Sequence, residues 1–355
     1  MKCRFSIALA TLCATLLLSG HAEGAYDPVV SGSTNITFAK PFLGVLRSHG
    51  VKLQVRGGTL RGSRVTLPAS GGEIDPKSGT GTVESAGTVV FVAGARKVIL
   101  RNVVFQAKRA PLYAKVGGGQ LKLASGARVA DKRSGFGAEF SAAGMRLTAK
   151  LATRLNKKLR LGKTLSGGQL LGALRVEAQP STVHLQQKGK MYLNVDPAFA
   201  SKLNGLFVSL NPVAPAELSS GPTLSFPIGQ ESTLAPDASS GTVKLEGQVE
   251  LLQLGSAQMF WREVWLEPVA AALLIESDVR PAPPHPGVAP QGPLLSLSAG
   301  GMTASDPSAR SISIIGRPVT LGSAARLLNE AFADGKPTFA ESETVGSISV
   351  TGAAE

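Results

Sequence analysis

The sequence holds a degenerate copy of itself. The run from Val65 to Gln106 returns between Leu224 and Glu267: Pro68 answers to Pro227, Pro76 to Pro236, Gly81-Thr82-Val83 to Gly241-Thr242-Val243, Gly87 to Gly247, and Arg101-Asn102-Val103 to Arg262-Glu263-Val264. In Thr82–Val92 and Lys97–Phe105, β-branched and aromatic residues recur with a period near two, which predicts strands, and Asp75-Pro76-Lys77-Ser78-Gly79 supplies turn chemistry between them. Upstream, Phe42, Leu46 and Val51 match Phe199, Leu203 and Val208. There the spacing of Phe42, Val45 and Leu46 predicts a short helix, and Pro41 and Pro197 stand near its start, where a missing N–H costs nothing. Leu147-Thr148 and Arg154-Leu155 correspond to Val319-Thr320 and Arg326-Leu327, a second amphipathic helix. The expected fold is therefore mainly β: two tandem β-sandwich-like modules, each with about two short amphipathic helices.

The duplication also says where to divide the chain. Residues 1–25 read as an export signal, with Lys2 and Arg4 before an apolar run from Phe5 to Leu18 and small residues from Ala22 to Ala25, where cleavage is expected. Module one spans 32–180 and module two 188–355, joined near Gln179 to Gln187, a polar stretch without periodic pattern. Module two carries a proline-rich insertion at 280–290, RPAPPHPGVAP, of stiff and extended composition. Cys3 and Cys13 are the only cysteines and both precede the cleavage region, so disulfides have no part in the expected fold. No apolar run long enough to span a bilayer follows the signal, and the expected location is secreted or associated with the cell envelope.

Charge divides along the same line. Residues 32–178 hold 25 Lys plus Arg against 6 Asp plus Glu, whereas 179–355 hold 10 against 16, so the net +13 of the whole chain hides a basic module and an acidic one. Lys150, Arg154, Lys157, Lys158, Arg160 and Lys163 form the densest basic run, on and just after the second predicted helix. Three readings are open: a solvated helix face, a patch for anionic cell-wall polymer or lipid head groups, or docking of the basic module on the acidic one. Nucleic acid is disfavoured, because the chain carries an export signal and few aromatics to stack on bases.

Catalytic motifs are missing. Beyond His21 in the signal, the histidines are His49 after the first helix, His184 near the module boundary and His285 among prolines, none at metal-ligand spacing with another His, Cys or carboxylate. There is no Gly-x-Ser-x-Gly elbow and no His-Glu-x-x-His. Glu73 with Asp75 flanks a turn, and Glu263 with Glu267 sits among strand residues, contexts that read as structural. Gly162-Lys163-Thr164 has the tail of a phosphate loop without its first glycine, Lys157 standing in that place, and reads as a turn after a helix. The chain is expected to be a binding protein and not an enzyme, with neither a metal nor an obligatory cofactor.

The run Gly71-Gly72, Asp75-Pro76, Ser78-Gly79, Gly81 and Val83, followed by Gly87 to Phe91 and by Val98 to Val104, resembles the HtaA domain of actinobacterial exported and cell-wall proteins. The resemblance covers most of module one and, more faintly, most of module two. It implies a β-rich fold with a few short helices, frequent tandem copies, and a role in haem uptake. It also implies an iron-ligating tyrosine three residues after Phe42 or Phe199 and a histidine in a Gly-His turn. This chain holds Val45 and Lys202 at the tyrosine positions and Gly94 at the histidine position. A haem-binding protein with displaced ligands, Tyr113 with His49 or Tyr192 with His184, is thus the alternative to an envelope-binding protein whose module one contacts anionic components.

Overall fold

The computed structural model describes residues 26–108, 112–125, 128–219, 221–255, 257–281 and 291–355. The expected export signal over 1–25 lies outside the described residues, as do residues 282–290 of the proline-rich stretch, with His285. The first half runs β1 (Asp27–Phe38), α1 (Lys40–Ser48), β2 (Lys52–Arg56), β3 (Thr59–Arg61), β4 (Arg64–Asp75), β5 (Thr80–Ala93) and β6 (Arg96–Gln106). It continues with β7 (Leu112–Val116), β8 (Gly119–Ser125), β9 (Arg128–Ser134), β10 (Gly137–Leu147), α2 (Ala149–Leu159) and β11 (Leu170–Pro180). These strands form one sheet in the order β2-β5-β6-β7-β8-β10-β11-β1-β4-β3, and because β4 also pairs with β5 the sheet closes on itself.

Alternation of buried and exposed residues explains the closure. In β6, Val98, Leu100, Val103 and Phe105 are buried, and in β5 Val83, Val89 and Phe91 are, so one face of each strand fills a common interior. Phe105 meets Phe140 of β10 across that interior with ring centroids 5.4 Å apart. Near α1, Phe42 stacks on Phe38 at 5.8 Å and meets Phe91 edge-on at 6.3 Å. Helix α1 has Pro41 in its first turn and buries Phe42, Leu43 and Leu46, while Val45 is half-buried against the same core. Full burial of a side chain such as Phe42 contributes roughly 1.5–3 kcal/mol.

The second half repeats the plan. Its sheet runs from Val183–His184 to Thr344–Ala353, with helices α3 (Pro197–Gly205) and α4 (Ala324–Phe332). Helix α3 starts with proline, and Asp196 caps it by accepting from the N–H groups of Ala198 and Phe199 at 2.8 and 3.3 Å. The matched glycines have a steric cause: Gly81 (φ 128°) and Gly241 (φ 119°) lie so close to the neighbouring backbone that a Cβ would collide with the carbonyls of Glu73 and Thr233. Asn102 (φ 47°) and Glu263 (φ 45°) mark the same bulge in β6 and in strand Ala257–Glu267, where the pairing with the next strand shifts register. The chain is thus a pair of tandem, mostly β units with curled sheets.

The halves touch where the sequence shows no pattern. The stretch 179–187 contains the strand Val183–His184, paired with Thr233–Leu234, and Val183 and Leu185 are buried. Strand β1 begins at Asp27, ahead of residue 32, and Asp27 bonds to His184. Phe136, in the turn between β9 and β10, is buried in the hydrophobic cluster of the second half. Beside it, the guanidinium of Arg310 donates to the carbonyls of Gly135 and Glu355 at 2.8 and 2.6 Å.

Candidate functional site

Helix α2 forms one wall of the most cationic site. Thr148 caps it: its Oγ1 accepts from the N–H of Leu151 at 3.3 Å and donates to the carbonyl of Lys122 at 2.6 Å. Leu151, Ala152, Leu155 and Leu159 are buried, which turns Lys150, Lys157 and Lys158 outward and leaves Arg154 half-buried. Lys157 and Lys158 stand in the last turn, where the partial negative charge of the helix end favours them. Arg160 ends the helix at φ 57°, and Asn156 holds the following loop by donating to the carbonyl of Leu165 at 2.7 Å and accepting from its N–H at 3.1 Å.

Arg154 and Lys158 overlook a cavity of about 560 Å³ between α2, β6 and the β7–β8 turn. Lys97 and Arg101 of β6 and Lys115 of β7 line it as well, with Val98, Ile99 and Val116 as its apolar parts. Among the described residues no carboxylate lines it. On the other flank of α2, Lys150, Arg154, Lys157 and Lys158 border a second groove of about 620 Å³ with Leu121 and Thr153. Among the described residues no salt bridge joins any of these cations to an acid. Arg160 and Lys163 are exposed and line neither cavity.

The corresponding positions of the second half are compensated. Arg262, which matches Arg101, is registered against Glu276 and pairs with Asp278 at 3.3 Å. On α4, Arg326 pairs with Glu330 at 3.6 Å. The second half has instead a smaller, apolar cavity of about 170 Å³ beside α3, lined by residues that include Val195, Leu203, Val208 and Leu218.

The candidate haem residues stand apart in their bonding. His49 follows α1, with Nδ1 3.0 Å from the carbonyl of Val45 and Nε2 3.4 Å from Thr164 Oγ1. Tyr113 stands on β7 opposite Val104 of β6 and Lys122 of β8, half-buried, and no hydrogen bond links it to His49. Tyr192 is paired between Ser225 and Ser349, and His184 is engaged with Asp27. Lys202 reaches Glu343 at 2.7 Å, and Gly94 is an exposed turn residue at φ 57°. Among the described residues no group of three or more His, Cys, Asp or Glu is placed to hold a metal ion. No described helix is long and apolar enough to cross a membrane.

Lys97, Arg101 and Lys115 were not singled out by the basic run, because they sit on strands far from it in sequence. Aligning the two copies would have exposed Lys115, which occupies the place of Glu276, whereas Arg101 matches another arginine, Arg262.

No family model and no curated protein matches the sequence. The structure is similar to the crystal structure of the C-terminal domain of HtaA from Corynebacterium glutamicum, at 16% identity and a TM-score of 0.36 over 43% of this chain and 98% of that one. It is similar also to the N-terminal domain of HtaA from the same organism, at 16% identity and a TM-score of 0.37 over 47% of this chain and 97% of that one.

Proposed function

We propose that the chain is an exported, non-enzymatic binding protein of two tandem HtaA-like modules, the first of which contacts an anionic component of the cell envelope, wall polymer or lipid head groups. The supporting observation is the outward face of α2 with its flanking grooves, where Lys150, Arg154, Lys157 and Lys158 stand without carboxylate partners among the described residues. A solvated helix face would need no such concentration on one module, and the second half, built alike, neutralises its equivalent arginines. Exposed charges act over roughly 8 Å at physiological salt, so the contact weakens as salt rises.

Retention of the mature chain on anionic liposomes and on wall polymer, measured against salt, tests this reading. Reversing Lys157, Arg160 and Lys163 to Glu together, all exposed and none on the β6–β7 cleft, lowers retention while the fold persists. Retention that ignores both salt and these reversals sinks the reading.

A further inference from the structure

Arg101 and Lys115 are direct partners in the β6–β7 register, two cations opposed on one face of the sheet. Such a pair is destabilising by itself, since like charges set across adjacent strands repel. Lys97 and Arg101 are four apart on a strand and so share a face, which brings a third cation to the same cavity. From above, α2 adds Arg154 and Lys158. Arg154 is held against the β7–β8 turn at Gly117 (φ 56°), where a Cβ would collide with its guanidinium, so glycine is what lets this side chain lie there.

The fold does not require this arrangement. At the matched register the second half opposes Arg262 with Glu276, and it couples Arg326 to Glu330 on α4. An uncompensated cluster kept at one copy of a duplicated position, around a cavity of about 560 Å³, is built for an anion that replaces the missing carboxylates.

We propose that this cleft binds a compact, multiply ionised phosphate group, held by Arg101 and Lys115 on the sheet side and by Arg154 and Lys158 on the helix side. Two guanidinium forks match phosphate oxygens bidentately, and the lysines add point charge. Half-buried Ile99, between Lys97 and Arg101 on the same face of β6, gives the cavity an apolar portion for whatever carries the phosphate. This rests on the anionic-partner reading for the source of the ligand, which is either a free phosphate compound or the phosphomonoester of a lipid head group.

Calorimetric titration of the mature chain with inorganic pyrophosphate, and binding to vesicles of phosphatidic acid with phosphatidylglycerol vesicles as the diester control, test the proposal. Saturable binding of pyrophosphate is expected, weakened about tenfold or more in Lys115→Glu, which copies the second half. The same substitution should raise the melting temperature of the free chain, because it converts a repulsive cross-strand pair into an attractive one. Binding to phosphatidic acid alone, lost in Lys115→Glu, supports the proposal with a lipid source. Should Lys115→Glu fail to fold, Lys115→Gln takes its place, with the same loss of binding expected. Absence of saturable binding to either probe, or affinity unchanged in the Lys115 variant, overturns it. The triple reversal of Lys157, Arg160 and Lys163 weakens pyrophosphate binding less than Lys115→Glu does while lowering retention on polymer, so the order of the two effects separates the cleft from the outer face.

Discussion

Asp27 Oδ1 meets His184 twice, accepting from its backbone N–H at 3.0 Å and lying 2.9 Å from its Nδ1, which fastens the first strand to the first strand of the second half. Burial raises the Asp27 carboxyl above its ordinary 3.8, against the lowering pull of the bonds from His184 and of the charges on His184 and Arg310. The folded chain therefore holds this proton more tightly than the unfolded one. Its contribution to stability is fully present below 3.8 and is lost as pH rises through the folded value. Thermal melts across pH should show the native chain losing stability relative to Asp27→Asn as pH rises from 3.8. A difference that stays flat would remove this account.

Asp75 behaves in the opposite sense. Burial would raise its carboxyl, but bonds from Ser78 and from the backbone N–H of Lys77 outweigh it and lower the value below 3.8. Stability from Asp75 is present above 3.8 and lost as pH falls through the folded value. Asp75→Asn should therefore cost about 1–3 kcal/mol near neutrality and shrink the acid-induced loss, as read from urea denaturation at two pH values.

Adjacent residues in β6 should differ sharply on truncation. Phe105 is 1% exposed and packs on Phe140, whereas Val104 is half-buried on the other face. Phe105→Ala should cost about 3–5 kcal/mol and Val104→Ala much less. Equal small losses in denaturant melts would contradict the placement of β6.

Phe136 carries the same expectation across the junction. It belongs to the basic half by sequence yet is buried in the hydrophobic cluster of the acidic half. Phe136→Ala should lower the stability of the full chain by about 3–5 kcal/mol, with the signal of Trp261 and Trp265 in the second half reporting the loss. Unchanged tryptophan melting would show that the turn does not brace that core.

Hemin titration separates the two ligand readings. With Val45, Lys202 and Gly94 at the positions where the family resemblance implies ligands, and no hydrogen bond joining Tyr113 to His49, no saturable Soret change is expected. A saturable change abolished by Tyr113→Ala would favour haem instead.

What the sequence made legible was the part ruled by short-range sterics. Gly81 and Gly241 repeat because a side chain cannot fit beside the carbonyls of Glu73 and Thr233, and Phe42 and Phe199 because each short helix must bury one large group. The basic run on α2 was visible because a helix brings neighbours in sequence to one face. Three relationships were not visible. The bond between Asp27 and His184 and the burial of Phe136 join residues of different halves, and the opposition of Arg101 and Lys115 depends on a register that includes a bulge. Pattern along a chain cannot report which strand lies alongside another, or by how many residues it has slipped.

Closure of the first sheet through β4 and β5 leaves three of its strands with one neighbour each among the described residues, β2, β3 and β9. All three carry cations: Lys52 and Arg56 on β2, Arg61 on β3, and Arg128, Lys132 and Arg133 on β9. A second copy adding its own edge alongside would set like charges against one another before any backbone bond could form. The basic character of this half thus has a use that involves no ligand: the chain is kept from growing into an intermolecular sheet.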